Sequence, residues 1–255
     1  SPFMKDAWNH FLTAVMLLTR LPVGRWCHYS PDAVTASVAY FPAVGALVGL
    51  LCAGVLTTAT DAFPAKLAVL LSMLVGVLVT GAFHEDGLAD AADGIFGGRT
   101  PSQRMEIMKD SRLGSFGAIA LWFALSAKFF LLEAILAKGL LFCIQSIVCA
   151  HTASRAAAVA VMQLQPHVGL DTTRSHPFCR TLSRVQVWGA LAPPAVLMVF
   201  CFETAAMPVI ACVVLLIFFL ANFFHKKIGG ITGDCLGATV QISELTVLTA
   251  LLSRS

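Results

Sequence analysis

Charge is scarce in this chain. Asp, Glu, Lys and Arg make up 12% of its 255 residues, about half of the ~25% usual for soluble domains. Hydrophobic residues make up 58%, so a polytopic membrane protein is expected rather than a solvated globule. No basic tail or Lys/Arg run is present, which removes nucleic acid from the expected partners. The eight cysteines form no CxxC pair and no zinc spacing, and they read as small buried hydrophobes. G-x-S-x-G, Walker and HExxH motifs are missing, which leaves a serine or cysteine nucleophile without support. No cleavable signal peptide is read at the start.

What is present is a series of seven apolar runs, at about 34–59, 64–83, 116–136, 139–163, 187–204, 207–224 and 236–252. Each is close to the ~20 residues needed to cross a bilayer. An all-α fold is expected: a polytopic membrane helix bundle of about seven transmembrane helices, one integral membrane domain over residues 1–255. Ahead of them, Trp8, Phe11, Leu12, Val15 and Met16 follow helical spacing. This predicts an N-terminal amphipathic interfacial helix within residues 1–30. Pro42 and Pro193-Pro194 predict kinks or breaks. Gly45 and Gly49 form a GxxxG face for close packing within or between chains, so a homo-oligomer joins membrane lipids among the expected partners. With the N-terminus in the cytoplasm, twelve of the seventeen Lys and Arg fall on that side, as positive-inside sorting requires. Loops 84–115, 164–186 and 225–235 are then cytoplasmic.

The acids are as clustered as they are few. Of fourteen, six lie between Glu85 and Asp110. If the stretch from His84 to Gly94 continues the helix before it, Asp86, Asp90 and Asp93 share one face at i, i+4 and i+7. At an effective dielectric of ~20, each ionised pair would cost about 3 kcal/mol. Protonation, basic partners or a divalent cation must offset that. Oxygen ligands at this density suit Mg²⁺ or Mn²⁺. Small residues fill the gaps and leave room for a ligand or another helix, whereas a solvated acidic cap would more often carry bulky polar residues.

Loop 84–115 reads as an active-site loop with a short cytoplasmic helix from Pro101 to about Asp110, opened by a capping box at Thr100–Gln103. Arg104, Lys109 and Arg112 bring cations beside the acids, a combination suited to a phosphate-bearing ligand. Gly229 to Gly237 holds four glycines and Asp234. Backbone N–H groups there could hold an anion, and Asp234 could complete a metal shell. Glu244, within the last run, is a functional candidate by its position. His151, Ser154 and Arg155 lie within one turn of the fourth run. Loop 164–186 adds His167, Asp171, Arg174, His176 and Arg180.

These stretches carry a resemblance. His84, Asp86-Gly87-Leu88-Ala89-Asp90 and Asp93-Gly94 resemble the acidic signature of the cobalamin (5′-phosphate) synthases, the adenosylcobinamide-GDP ribazoletransferases. The likeness continues through Glu106–Gly114, Thr19–Val23, Ser154-Arg155, Gly229-Gly230 and Thr232–Ala238. Glu85 departs from the pattern and is left out of the metal set. The resemblance implies a transferase that joins adenosylcobinamide-GDP, a corrinoid nucleotide, to α-ribazole or its 5′-phosphate and releases GMP. It implies Mg²⁺ and a place in the bacterial inner membrane, with the active site facing the cytoplasm. Asp86, Asp90, Asp93 and Asp234 are the expected metal ligands. His84, Asp90 and Asp93 are the expected catalytic groups. Arg104, Lys109, Arg112, Ser154, Arg155 and Thr232 are the expected substrate contacts. A CDP-alcohol phosphotransferase and an ion-coupled transporter are the alternatives. The first lacks its Ala-Arg after Asp93-Gly94. The second expects acids at the midplane rather than at one face.

Overall fold

A computed structural model describes residues 2–169 and 181–254. Asp171, Arg174, His176 and Arg180 lie outside the described residues. Eleven α-helices run through the described chain: α1 Pro2–Leu18, α2 Pro31–Ser37, α3 Phe41–Ala62, α4 Ala65–Thr80, α5 Phe83–Gly97, α6 Pro101–Met108, α7 Ser115–Leu136, α8 Leu140–Leu164, α9 Arg184–Phe202, α10 Ala206–Ile228 and α11 Gly233–Leu252. Among the described residues the one strand-like pairing is an isolated parallel bridge between His167 and Ile231. Each of the seven apolar runs is a helix, α3, α4 and α7 to α11. The fold is an all-α membrane bundle.

Length and apolarity pick out five candidate spans, or six if α4 and α5 count as one bent span. One of the five, Arg184–Ile228, contains both α9 and α10. These two run past α8 in opposite directions. At one end the Leu182 N–H donates to Gln163 Oε1 at 3.1 Å, while at the other the Phe142 and Phe202 rings meet at 5.6 Å. The end of α10 then returns to the end of α8, where Leu220, Phe224 and Ile228 share a buried cluster with Val161.

Four expectations change. First, α4, the helix of the second apolar run, does not continue into the acidic stretch. It stops at Thr80, and Gly81 and Ala82 both take left-handed backbone, with φ of 65° and 58°. This turns α5 by 84° from α4. Gly81 adopts such a φ at no steric cost, whereas Ala82 bears a cost of roughly 1–2 kcal/mol. Second, α1 is longer than the amphipathic run. Ala14, Val15 and Leu18 enter the main core with Val44 and Val48, while Met4 and Trp8 stay exposed. Third, α9 runs through Pro193-Pro194 without interruption, while Pro42 sits at the start of α3 rather than inside it. Fourth, the capping box of α6 is half formed. Thr100 accepts from the Gln103 N–H at 3.3 Å, but the Gln103 side chain accepts from Arg99 N, not from Thr100 N.

The GxxxG pair is used within the chain. A Cβ on Gly45 would strike the His151 carbonyl oxygen, and one on Gly49 would lie 2.9 Å from the Val148 Cα. The two glycines let α3 and α8 touch backbone to backbone. Gly49→Val forces that crossing apart, and overpacking of this kind costs about 1–3 kcal/mol. The purified variant should therefore melt several degrees lower by scanning fluorimetry; an unchanged melting temperature would refute the crossing.

Candidate active site

A second glycine crossing builds the site. A Cβ on Gly87 would lie 3.1 Å from the Gly237 Cα and 3.3 Å from the Asp234 Cα. One on Gly237 would lie 3.0 Å from the Gly87 Cα. Only hydrogen at both positions lets α5 and α11 approach so closely. The contact sets Asp86 and Asp90 of α5 beside Asp234 in the first turn of α11. Asp90 lies on α5, outside the five helices that qualify as spans. Burial, then Asp86, Asp234 and Asp93, push its carboxyl up to about 6. Among the described residues, none of the groups that raise it is a cation.

Among the described residues, no three His, Cys, Asp or Glu side chains are grouped closely enough to hold a metal by themselves. The donor set still fits a hard ion. It is made of carboxylates, and Mg²⁺ is commonly held by one or two of these while phosphates and water complete its shell. Asp86, Asp90 and Asp234 are the residues that fit.

Asp93 is used differently. Its Oδ2 accepts from the Gly114 N–H at 2.7 Å and its Oδ1 from the Gly117 N–H at 2.8 Å. It thus caps the N-terminus of α7 from a neighbouring helix, where backbone donors otherwise lack partners. A Cβ on Gly114 or Gly117 would collide with that carboxylate, so both glycines belong to the same device.

The expected substrate contacts divide in the same way. Arg104 is a clamp: its Nε donates to the Ile95 carbonyl at 3.3 Å and its Nη1 to the Lys227 carbonyl at 2.8 Å. It ties α5 to the end of α10. Arg112 pairs with Asp110, Nη2 to Oδ2 at 2.7 Å, and its hydrogen bonds hold the Asp110 carboxyl down at about 2. Thr232 caps α11 by accepting from the Cys235 N–H at 3.3 Å. Lys109, exposed at the end of α6, lines a small cavity with Thr232, Gly233 and Asp234, which places it at the acidic site. In the glycine loop the Ile231 N–H donates to the Pro166 carbonyl at 2.9 Å, so that donor is not free for an anion.

Arg155 and Ser154 are buried in the bundle. Arg155 Nη1 donates to Glu244 Oε1, to Ser154 Oγ at 3.0 Å, and meets His151 Nδ1 at 3.1 Å. Lys128 from α7 donates to the other oxygen of Glu244. Gln241 donates to Glu85 Oε1 at 3.2 Å, which draws α5 into the same cluster. The sequence reading missed Lys128 and Glu85 as members. The available signal was the rarity of charge inside spans: a cation on α7 and one on α8 need an acid at the same depth.

His84 stands between this cluster and the acids. It is 3% exposed, and its Nδ1 lies 3.4 Å from Arg155 Nη2. A guanidinium has no acceptor, so Nδ1 accepts and the proton sits on Nε2. Burial, then the Arg155 cation, hold this imidazole well below its usual range. His84 is therefore a neutral ring with an N–H to offer. It lines an apolar cavity of about 460 Å³ that also touches Arg155, Gly233 and Gly237.

Comparison with known proteins gives the family. A family described as cobalamin-5-phosphate synthase matches residues 10–252. A Shewanella frigidimarina protein named adenosylcobinamide-GDP ribazoletransferase is 39% identical over 246 residues, which is 96% of this chain and 94% of that protein. Ralstonia pickettii and Vibrio cholerae proteins of the same name are 40% and 38% identical, over 98% and 95% of this chain and 97% and 93% of their own length. No solved structure matches.

The two uses of aspartate predict opposite effects on stability. Asp93→Ala strands two backbone donors, at about 1–3 kcal/mol for each buried group left unpaired, and should lower the melting temperature by several degrees. Asp90→Asn removes a like charge and should leave it unchanged or raise it. Scanning fluorimetry of the two purified variants reads the contrast, and the reverse order would contradict the assignment.

Proposed function

This chain belongs to the cobalamin-5-phosphate synthase family, and we propose that it joins adenosylcobinamide-GDP to α-ribazole or its 5′-phosphate at the α5–α11 crossing, releasing GMP. The enzyme is a ribazoletransferase of the final assembly of cobalamin and a multi-pass membrane protein. The observation that carries the site assignment is the gathering of Asp86, Asp90 and Asp234 at a glycine-to-glycine contact.

Asp86, Asp90 and Asp234 would hold Mg²⁺, with Mn²⁺ as a substitute. When bound, the ion supplies charge neutralisation on the diphosphate and on the departing phosphate. The chain's own residues do the rest. Lys109, beside Asp234 and Thr232, binds the phosphates as a point charge. Arg112 lies on the exposed Asp110 and reaches a phosphate only by leaving it. The 3′-hydroxyl oxygen of the riboside forms a bond to the phosphorus on the cobinamide side. The bond from that phosphorus to the GMP oxygen breaks, and GMP leaves. Asp90 is the acid we assign to accept the hydroxyl proton. His84 does not serve as the base, since its free ring nitrogen already carries a proton. Asp93 acts through the backbone it caps and fixes α7 against α5.

The site lies at the end of the bundle where Arg99, Arg104, Lys109, Arg112, Lys226 and Lys227 collect, which is the cytoplasmic face by the positive-inside rule. In a bacterium this is the inner membrane.

Purified protein given Mg²⁺, adenosylcobinamide-GDP and α-ribazole should release GMP and form a complete cobamide. Chelation should stop turnover, and Mg²⁺ or Mn²⁺ should restore it. Asp90→Asn should cut GMP release by about 10²–10⁴-fold, the usual span for a lost general base, in protein that still melts normally. Near-normal turnover in that variant would refute the proposal.

A further inference from the structure

We infer that the apolar cavity between α1, α3, α5, α8 and α11 seats the aromatic base of the riboside, with the His84 Nε2–H donating to the base's ring nitrogen. This rests on the ribazole-transfer reading and adds where the acceptor lies. Leu18, Phe41, Phe83, Ala158, Leu236 and Val240 form its apolar wall. The polar side chains that line it are His84, Arg155 and His167. At about 460 Å³ it falls within the ~300–1,000 Å³ of small-molecule sites. A corrin macrocycle with its amide arms is far too large and too polar for such walls. A flat bicyclic base with one acceptor nitrogen matches both the walls and the oriented His84 donor.

Position supports the same occupant. The cavity runs along Gly233 and Gly237, directly beside Asp234 and the Gly87 contact. A base lodged there carries its ribose toward the carboxylates, where the attacking hydroxyl is needed. The Arg155 guanidinium contributes by fixing the His84 tautomer rather than by touching phosphate. With Nδ1 turned to Arg155 Nη2 at 3.4 Å, the ring presents its Nε2–H, which favours an acceptor nitrogen over a ring that lacks one.

The test uses the full chain in detergent or nanodiscs. Binding of α-ribazole alone is measured first by calorimetry, without corrinoid nucleotide. Wild type should bind. Ala158→Phe, which fills the cavity, should weaken binding and raise KM for α-ribazole by about tenfold or more, as loss of room for a methyl or two does. The unmethylated benzimidazole riboside should suffer less, and KM for adenosylcobinamide-GDP should stay within about twofold. Leu236→Ala, which widens the cavity, should shift preference toward bulkier bases. If both variants turn over with unchanged riboside KM and unchanged base preference, the cavity assignment is overturned while the reaction stands. If wild type binds α-ribazole and Ala158→Phe does not, yet wild type releases no GMP, the reaction reading fails while the cavity assignment stands. Activity that instead follows lipid chain length, with no effect of base size, would mark an acyl-chain pocket and overturn the proposal.

Discussion

A carboxylate 1% exposed inside an apolar bundle must be matched by cations, and Glu244 is matched on both oxygens. Arg155 takes one and Lys128 the other. Removing an ion from water costs several kcal/mol even after relaxation, and only close, fully hydrogen-bonded partners offset this. Those partners come from different helices, so the ion pairs fix how α7, α8 and α11 align along their lengths. Gln241, one turn before Glu244, extends the arrangement to Glu85 on α5. A slide of any one helix by a turn would leave a buried charge alone. The polar cluster thus specifies the alignment of helices whose apolar surfaces alone would pack in many ways.

Such short contacts require backbones to come close, and glycine supplies that at two crossings. Gly45 and Gly49 bring α3 against α8, and a Cβ on Gly45 would also lie 3.1 Å from Arg155 Cδ. The first crossing therefore leaves the space in which Arg155 turns toward Glu244. Gly87 and Gly237 bring α5 against α11 and carry the aspartates together. Association of helices in lipid gains little from apolar burial, since lipid tails are equally apolar, and close packing by small residues takes its place. The same glycines that hold the bundle place the chemistry.

Much of this was legible in the chain. The seven apolar runs became seven helices because bilayer-length hydrophobic segments have few other ways to satisfy their backbone. The glycine spacing and the acidic stretch marked both crossings. What escaped reading depends on distance or on ambiguity of type. The turn between α4 and α5 needs left-handed backbone at Ala82, a residue that carries no signal for it. Lys128 and Glu244 are 116 residues apart, and Glu85 and Gln241 are 156, so no local pattern joins them. Arg104 has the profile of a phosphate ligand, yet two carbonyl oxygens take its donors. Asp93 shares a helix face with Asp86 and Asp90, and nothing in the spacing says that the start of α7 folds back over it.

The distribution of cations gives the acidic site its character. Arg155 and Lys128 are occupied by Glu244, Arg112 by Asp110, and Arg104 by two carbonyls. Apart from Lys109, which stays beside Asp234, the charges that a sequence reading would assign to the aspartates are therefore used elsewhere. Asp86, Asp90 and Asp234 are left as neighbours, and burial together with their repulsion raises the Asp90 carboxyl. A fold that needed only stability would place an arginine there or replace one acid. Leaving the repulsion unrelieved favours a ligand that brings positive charge to the carboxylates and needs negative charge on its far side. A divalent ion carried with a diphosphate meets both conditions, because each neutralises what the other leaves uncovered. The core and the rim are two halves of one arrangement: the bundle matches the buried Glu244 with two cations, while the acids at its mouth stay open to charge from outside.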